Sequence, residues 1–375
     1  MRRIQSDIGC VAESNLVRRK ARTVIAAFAI SVTAFTSACV SEADNEAEDG
    51  VFTLVMGDSF SLTHPMGVGG TEQFVEGIKA NGEEVGLAVD YYSSGQLGKQ
   101  WDMPTIVRRG VADISVISPS YVASQMPLSS VGDLAGLSDD ACVSAYALQD
   151  LITEGGILYE EEFKPLNLHP LWIGVIPRYE AMTADREINV PADLAGTVQR
   201  STGGAQDRIV DAVGAAGVGM PIGDLYEAMT RGTVEGTVAS PTSITPYGLE
   251  EVIGYSTTGA NLGSFTSVYV MNEDTWRSLS ADQQDLINEL SAASQENLCA
   301  ELNESVDRSL EEMRKADVKL IDVSKDADKW EALLEPTRNK WVQDLESVGK
   351  PAGKVLKEYE AALARNEHRS QKESK

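Results

Sequence analysis

From Val51 onward, short apolar runs alternate with amphipathic stretches of helical length. This alternation is typical of layered α/β folds. The first part predicts strand, helix, strand, helix and strand in that order, over 51–56, 71–80, 85–92, 99–109 and 112–118. Such an order builds a mostly parallel sheet.

A second α/β set follows a predicted helix over 140–154 and an apolar run over 166–176 that contains Pro170. The set comprises alternating strands and helices over 197–200, 206–213, 218–220, 222–231 and 233–240, followed by a strand over 263–271. Two α/β sets joined by crossings of the chain predict two lobes around a cleft, where open α/β sheets bind ligands.

A capping box formed by Ser280 and Gln283 predicts the start of a long helix that runs toward Ala316. A helix of about 35 residues reaches roughly 50 Å at ~1.5 Å per residue. We therefore expect this helix to brace both lobes.

The N-terminal segment has the pattern of an export signal. Basic residues that include Arg18 and Arg22 precede Thr23–Ala38, sixteen residues without a charge, and Cys39 follows. As a helix this run spans roughly 24 Å, short of the ~30 Å hydrocarbon core of a bilayer, which favours a cleaved signal over an anchor. The small residues before Cys39 resemble a lipoprotein box. We expect residues 1–38 to be removed and Cys39 to be acylated, with plain cleavage as the alternative.

The charge of the chain excludes some function classes. Among 375 residues, 57 Asp and Glu stand against 32 Lys and Arg, a formal net charge of −25. Removal of residues 1–38, with six basic and two acidic side chains, changes that charge to −29. So acidic a surface disfavours nucleic acid and anionic lipid as partners. We expect residues 39–50 to form an acidic, solvated tether and residues 363–375 a disordered tail.

Two cysteines remain once the predicted signal and the acylated Cys39 are set aside. In an oxidising compartment Cys142 and Cys299 can pair with each other, or they can remain buried free thiols. The sequence leaves both alternatives open.

A catalytic motif is incomplete. Gly57-Asp58-Ser59-Phe60 resembles the nucleophile block of GDSL hydrolases, with Ser59 as the nucleophile. That chemistry needs an Asp-x-x-His pair to deprotonate the serine, and no Asp lies three or four residues before any of the histidines, His64, His169 and His368. We therefore expect no enzyme, no metal site and no cofactor. A GDSF serine hydrolase remains one alternative.

One arginine occupies a position suited to binding an anion. Arg200 ends a predicted strand and precedes Ser201–Gly204, a loop that enters a predicted helix. A guanidinium there can bind a carboxylate through two hydrogen bonds, supported by the positive potential of the helix N-terminus. The alternative is a structural ion pair.

An ordered set of short motifs extends from about Val51 to Glu360. The motifs are Ser94–Gly98, Arg109–Ile114, Pro191–Arg200 with the form D-L-x-G-x-x-x-R, Met220-Pro221, Leu225–Met229, Arg231–Gly236 and Trp276–Gln284. In this order they resemble the solute-binding subunits of tripartite ATP-independent periplasmic (TRAP) transporters, of the C4-dicarboxylate-binding type.

This resemblance implies a fold of the type II periplasmic-binding-protein class, with two α/β lobes that close on a ligand. It also implies a long bridging helix toward the C-terminus and binding without a reaction. On this basis the first lobe comprises 51–173 and 263–304, and the second lobe with the bridging helix comprises 174–262 and 305–362.

The resemblance also assigns site residues. Arg200 corresponds to the arginine that binds the ligand's carboxylate, and Arg178 lies near the position of a second arginine. Ser240, before Pro241, replaces an amide that relatives often carry. The remaining predicted cleft residues are Ser59, Gln100, Ser118 and Tyr121, Ile222 as a cover over the ligand, and Phe265 as apolar lining.

The expected partners are a small organic acid and the integral-membrane subunits of a TRAP permease. The protein would then be a monomeric, lipid-tethered receptor outside the cytoplasm. The second alternative is a receptor that senses its ligand for a signalling partner.

Overall fold

The computed structural model describes residues 50–373, with side chains up to residue 367. Within these residues the strands are β1 (Phe52–Gly57), β2 (Leu87–Tyr92), β3 (Ile114–Ile117), β4 (Leu168–Ile176), β5 (Glu180–Thr183), β6 (Val198–Ser201), β7 (Ala216–Gly219), β8 (Gly236–Ala239), β9 (Tyr255–Thr258), β10 (Phe265–Asn272) and β11 (Lys319–Asp322). The α-helices are α1 (Glu72–Val85), α2 (Met103–Arg108), α3 (Ala141–Ile152), α4 (Ala205–Ala212), α5 (Leu225–Thr230), α6 (Glu273–Ser278), α7 (Ala281–Lys315), α8 (Ala327–Ser347) and α9 (Ala352–Glu373).

The strands form two separate sheets. The first sheet has the order β2-β1-β3-β10-β4, in which β1, β2 and β3 are parallel and β10 is antiparallel to its neighbours β3 and β4. The second sheet has the order β11-β9-β5-β8-β6-β7, in which β5 is antiparallel to its neighbours. We call each sheet with the helices packed on it the first lobe and the second lobe. The predicted two-lobed α/β fold is confirmed.

The direction of the strands determines which residues reach the cleft. In the first lobe the carboxyl ends of β1 and β3 share an edge with the start of β10. In the second lobe the carboxyl ends of β6 and β8 share an edge with the start of β5. Loops that leave these two edges carry the residues predicted to bind the ligand.

The chain passes between the lobes four times: between β4 and β5, between β9 and β10, along α7, and from β11 through α8 to α9. Helix α7 packs on α1 and β4 in the first lobe and reaches β11 in the second. Ser280 caps its N-terminus and Gln283 completes the capping box, so the predicted long bridging helix is confirmed.

The two short crossing segments are bonded to each other. Tyr179 donates its N–H to Gly263 O at 3.0 Å and accepts from Leu262 N at 2.7 Å. The Glu180 carboxylate accepts from the N–H groups of Gly259 at 2.9 Å and Ala260 at 3.1 Å. The first crossing thus holds the second in place, and the two segments form one double-stranded hinge.

A disulfide fixes two helices within the first lobe. Cys142 near the start of α3 is bonded to Cys299 in the middle of α7. The bond joins positions 157 residues apart in sequence.

The lobe boundaries differ from the expected ones at two places. Strand β4 continues in the first sheet to Ile176, three residues beyond the expected end of that segment. Residues 352–373 form α9, which packs on α3 of the first lobe, so placing 352–362 in the second lobe and a disordered tail at 363–375 is wrong for residues 352–373. The physical reason is an apolar stripe at helical spacing that includes Val355, Tyr359 and Leu363, all of them buried.

Candidate ligand-binding site

Arg200 lies at the cleft edge of the second lobe and contacts both lobes. Its side chain is buried although it carries a charge, with 1% of its surface exposed. Within the second lobe, Nε donates to Met220 O at 2.9 Å. Across the cleft, Nη2 donates to the hydroxyl of Tyr121, which follows β3 in the first lobe, at 2.7 Å. The structure is therefore one in which the lobes are in contact.

The Tyr121 hydroxyl joins three groups. It accepts from Arg200 Nη2 and also from the backbone N–H of Ile222 at 3.2 Å. With both lone pairs engaged, its own hydrogen points to neither partner and is available to an acceptor in the cleft. Burial raises the pKa of Tyr121, and the Arg200 charge opposes part of that rise. The hydroxyl consequently stays protonated and can donate.

Three buried polar atoms on the predicted site residues lack a hydrogen-bond partner among residues 50–373: Arg200 Nη1, Ser59 Oγ and Gln100 Oε1. Ser59 follows β1, and Gln100 lies between β2 and α2, so both lie on the first lobe. Buried polar groups are nearly always paired, and leaving one unpaired costs about 1–3 kcal/mol. A ligand that carries both oxygen acceptors and a donor would satisfy all three.

Aromatic rings lie beside this polar set. The ring of Phe265, at the start of β10, is 5.2 Å from that of Tyr121 in an edge-on arrangement. It is 6.5 Å from the ring of Tyr179 on the hinge. Phe265 and Ile222 are both buried, with 3% and 7% of their surface exposed. The site thus has an apolar part next to its charged part.

Two predicted serines are engaged inside their own lobes. Ser118 Oγ is hydrogen-bonded to Ser267 Oγ at 2.9 Å. Ser240 Oγ caps the turn after β8, where it accepts from Thr242 N at 3.4 Å and from Thr242 Oγ1 at 3.1 Å. Ser118 thus links the end of β3 to β10, and Ser240 orders the turn at the end of β8.

Arg178, which lies near the predicted position of a second ligand-binding arginine, is not brought together with Arg200 in this structure. Arg178 lies on the first crossing with φ 54°, next to the inward-facing Tyr179. Its side chain is 46% exposed and lies 3.8 Å from Asp139. It lines a separate groove of about 1090 Å³ that also contains Trp330. The backbone turns at Arg178 because of this positive φ, so its side chain faces solvent while that of Tyr179 is buried.

The GDSF motif has a structural role. The Asp58 carboxylate is buried and accepts from Thr71 Oγ1 at 2.6 Å, from Tyr269 OH at 3.1 Å and from Phe60 N at 2.8 Å. The nearest histidine in sequence, His64, is bonded elsewhere, through Nε2 to Ser243 Oγ at 3.0 Å. Ser59 therefore has no general base among the described residues, and the arrangement does not resemble a catalytic triad.

Some residues of the cleft escaped prediction. The sequence does not show which backbone carbonyl would accept a hydrogen bond from Arg200, and in the structure it is that of Met220. The contact between His64 and Ser243, 179 residues apart, left no local signal. Tyr179 was hidden by its neighbour Arg178, because the sequence does not show which of two adjacent residues faces inward.

Other chemistry is not indicated in the part of the chain that the structure describes. There, no cluster of three or more His, Cys, Asp or Glu side chains could hold a metal ion. None of the helices in this part is both long and apolar enough to span a bilayer. Cys39 and the predicted signal lie outside the described residues.

Comparison with known proteins gives a consistent result. A curated solute-binding protein of Albidiferax ferrireducens is 26% identical over 262 residues, which are 67% of this chain and 74% of that protein. A TRAP solute-binding protein of Rhodoferax ferrireducens T118, solved with copurified benzoate, has TM-score 0.76 at 18% identity and covers 85% of this chain and 99% of its own. A marine metagenome TRAP solute-binding protein specific for aromatic acids, solved with 3-hydroxybenzoate, has TM-score 0.77 at 19% identity, covering 84% and 99%.

The match to a protein family covers most of the chain. Residues 57–344 fit the family described as bacterial extracellular solute-binding protein, family 7. That range includes most of both lobes, the hinge and every predicted ligand contact, and it ends before α9. The chain therefore belongs to family 7 of the bacterial extracellular solute-binding proteins and is a binding protein rather than an enzyme.

Proposed function

We propose that this protein captures a small organic acid between its lobes, with Arg200 as the carboxylate-binding residue, and delivers it to a TRAP permease. The observation that carries the proposal is the buried Arg200 guanidinium, whose Nη1 has no partner among the described residues. A buried, incompletely paired cation is costly, and a carboxylate is the partner that matches its geometry.

The body of the ligand is apolar, and we favour an aromatic ring. Phe265, Tyr121 and Tyr179 form edge and face contacts at the cleft, and such surfaces suit a flat ring. Two structural neighbours were solved with benzoate and with 3-hydroxybenzoate. The unpaired Ser59 Oγ and Gln100 Oε1 could bind a hydroxyl substituent on such a ring.

The net charge of the chain indicates that groups inside the cleft, and not the overall field of the protein, select the ligand. At −25 overall, the protein's field repels an approaching anion. Affinity for an acid must therefore come from groups inside the cleft, where water is excluded and a charge-assisted hydrogen bond is stronger. Binding then requires only that the ligand prefer the closed state to the open one.

A thermal-shift screen over aromatic acids, dicarboxylates and sugar acids tests this function directly. A ligand present at a hundred times its Kd stabilises the native state by ~2.7 kcal/mol, which gives a clear rise in Tm. We expect the largest rise with aromatic monocarboxylates. A protein that responds to none of these acids would contradict the proposal, and labelling of Ser59 by a fluorophosphonate would support the hydrolase instead.

We further propose that the mature chain begins at an acylated Cys39 and acts as a membrane-tethered monomer. The acidic residues 39–50 would separate the lobes from the membrane surface. Wild-type protein expressed with its own signal should partition with membranes, whereas Cys39→Ala should not. Equal fractionation of the two would favour plain cleavage, and sedimentation of the soluble lobes as a dimer would contradict the monomer.

A further inference from the structure

We propose that His64 is a positioning residue that latches the closed lobes through Ser243 and thereby sets the affinity of the site for its ligand. The inference rests on the proposed function. It concerns a contact made away from the carboxylate-binding arginine.

The hydrogen bonds of the imidazole ring fix its role. His64 lies in the loop between β1 and α1 of the first lobe and is completely buried. Its Nδ1 accepts from the backbone N–H of Met66 at 3.1 Å, so the ring proton belongs on Nε2. Nε2 then donates to Ser243 Oγ at 3.0 Å. Ser243 belongs to the turn after β8 in the second lobe and is buried as well, with 3% exposed.

Aromatic packing also crosses between the lobes here. The His64 ring stacks on Phe60 of its own lobe with centroids 5.0 Å apart and planes inclined by 29°. Its other neighbour is Tyr247 of the second lobe, with centroids 6.0 Å apart and an inclination of 53°. The imidazole is thus held between one ring from each lobe, so its burial depends on closure.

The latch differs in position and in chemistry from the ligand contacts. Arg200 and Tyr121 join the lobes through groups that also face the ligand, whereas the partners of the His64 ring are a backbone N–H, a hydroxyl and two aromatic rings. The position of Ser243 is set by the short helical turn that contains it, which is capped at its start by Ser240. Both partners are therefore rigidly placed before they meet.

Separation of the lobes would break the contact between His64 and Ser243. It would not change the contacts that a ligand makes in the open state. When the lobes part, His64 Nε2 and Ser243 Oγ exchange their mutual bond for bonds to water, and the ring contact with Tyr247 is lost. The latch consequently favours the closed state, and apparent affinity scales with the population of that state. A variant without the hydrogen bond should dissociate faster and bind less tightly, with its ligand preference unchanged.

A double-mutant cycle with His64→Phe and Ser243→Ala tests the latch. His64→Phe retains a ring between Phe60 and Tyr247 but removes the donor, and Ser243→Ala removes the acceptor. For an aromatic acid from the screen, we expect each variant to raise Kd about five- to tenfold through a faster dissociation rate. The double variant should be no worse than either single one, because the two residues form one interaction.

A matched control is available in the first lobe. His169 Nδ1 lies 3.5 Å from Glu273 Oε2 and the ring stacks on Trp276, all within that lobe, so His169→Phe should leave Kd unchanged. Circular dichroism verifies that each variant is folded. If His64→Phe does not fold, the milder change Ser243→Ala still tests the hydrogen bond.

The outcomes separate the latch from the proposed function. Unchanged Kd in both variants, or effects that simply add, would overturn the latch while the binding of acids stands. If the wild-type protein binds no acid, the proposed function fails. The latch is then tested by small-angle scattering of the unliganded proteins: an unchanged radius of gyration in His64→Phe overturns it, and a larger radius than in wild type and in His169→Phe supports it.

Discussion

Arg200 of the second lobe donates from Nη2 to the hydroxyl of Tyr121 of the first lobe at 2.7 Å, and this bond spans the cleft. The arginine keeps Nη1 unpaired, while the tyrosine has both lone pairs occupied and a hydrogen to donate. The same pair of residues therefore joins the lobes and leaves one donor on each side for a ligand. Closure and recognition are coupled at a single contact.

Replacing Arg200 with lysine should abolish most of the binding of acids. Lysine keeps the charge but cannot donate simultaneously to Met220 O, to Tyr121 and to a ligand in the arginine's planar geometry. We expect a loss of about 3 kcal/mol, or roughly a hundredfold in Kd, by isothermal titration. Arg178→Lys is the matched control, since that side chain faces the solvent and Asp139. Equal losses in both variants would mean that Arg200 is not the carboxylate-binding residue.

Replacing Tyr121 with phenylalanine should weaken binding while preserving the ring. The change leaves Arg200 Nη2 and Ile222 N without their shared acceptor and removes a donor from the cleft. An expected cost of about 1.5 kcal/mol corresponds to roughly a tenfold rise in Kd. Tyr92→Phe, on an exposed ring of the first lobe, should have no effect. A wild-type Kd in Tyr121→Phe would show that the interlobe bond contributes nothing to affinity.

Lowering the pH should open the cleft, because His64 becomes protonated. Burial lowers the pKa of His64 to about 3 in the closed structure, whereas an exposed imidazole has its ordinary value of about 6.5. Between these values the closed state binds fewer protons than the open state, so closure is favoured above about pH 6.5 and is progressively lost as pH falls. The titratable group described against the ring is Tyr247, whose pKa burial raises, so its phenol stays neutral throughout.

The measurement is Kd for an acid that stays ionised, titrated from about pH 7.5 to pH 5. We expect Kd to rise toward the acid end by at most about tenfold per pH unit, the slope for one proton. His64→Phe should flatten that slope. A slope that persists unchanged in the variant would assign the dependence to another group.

Loss of the disulfide should reduce stability but leave affinity intact. Cys142 and Cys299 join α3 to α7 in the first lobe and close a loop of 157 residues. Replacing both with alanine should lower the free energy of unfolding by about 3 kcal/mol, measured by denaturant titration. Kd should stay at its wild-type value because the disulfide joins α3 to α7 within the first lobe and does not bridge the cleft. A changed Kd would mean that the spacing of these helices influences the hinge.

Sequence patterning predicted the elements whose periodicity is long or clear. The two α/β sets, the strand over 263–271 and the helix that starts after Ser280 all appear close to their expected limits. Strands β5, β9 and β11 were missed because they are defined by pairing with partners distant in sequence, and their short sequences show no clear apolar pattern. Helices α8 and α9 were both missed. Pro336 interrupts the helical pattern of α8, and the last residues of α9 are polar, although Leu363 is buried against the rest of the fold.

The site was predictable to the level of residue type and strand end. Arg200 ends β6 and Tyr121 follows β3, so both lie at the carboxyl ends of strands, a position that the sequence pattern indicates. Phe265 lies near Tyr121 because β10 is antiparallel to β3 and its start shares an edge with the end of β3. The direction of the Arg178 side chain depends on its local backbone angles. The hydrogen bonds of Ser118 and Ser240 depend on the neighbours that the fold gives them. Those contacts could not be deduced from spacing.

The position of β10 has a consequence for the order in which this chain can fold. β10 lies between β3 and β4, yet it is synthesised about ninety residues after β4 ends. Until it emerges, β4 has no partner in its sheet, and Cys142 has no Cys299 to meet. An incomplete chain therefore cannot complete the first lobe, whose assembly waits until β10 and Cys299 have both been synthesised.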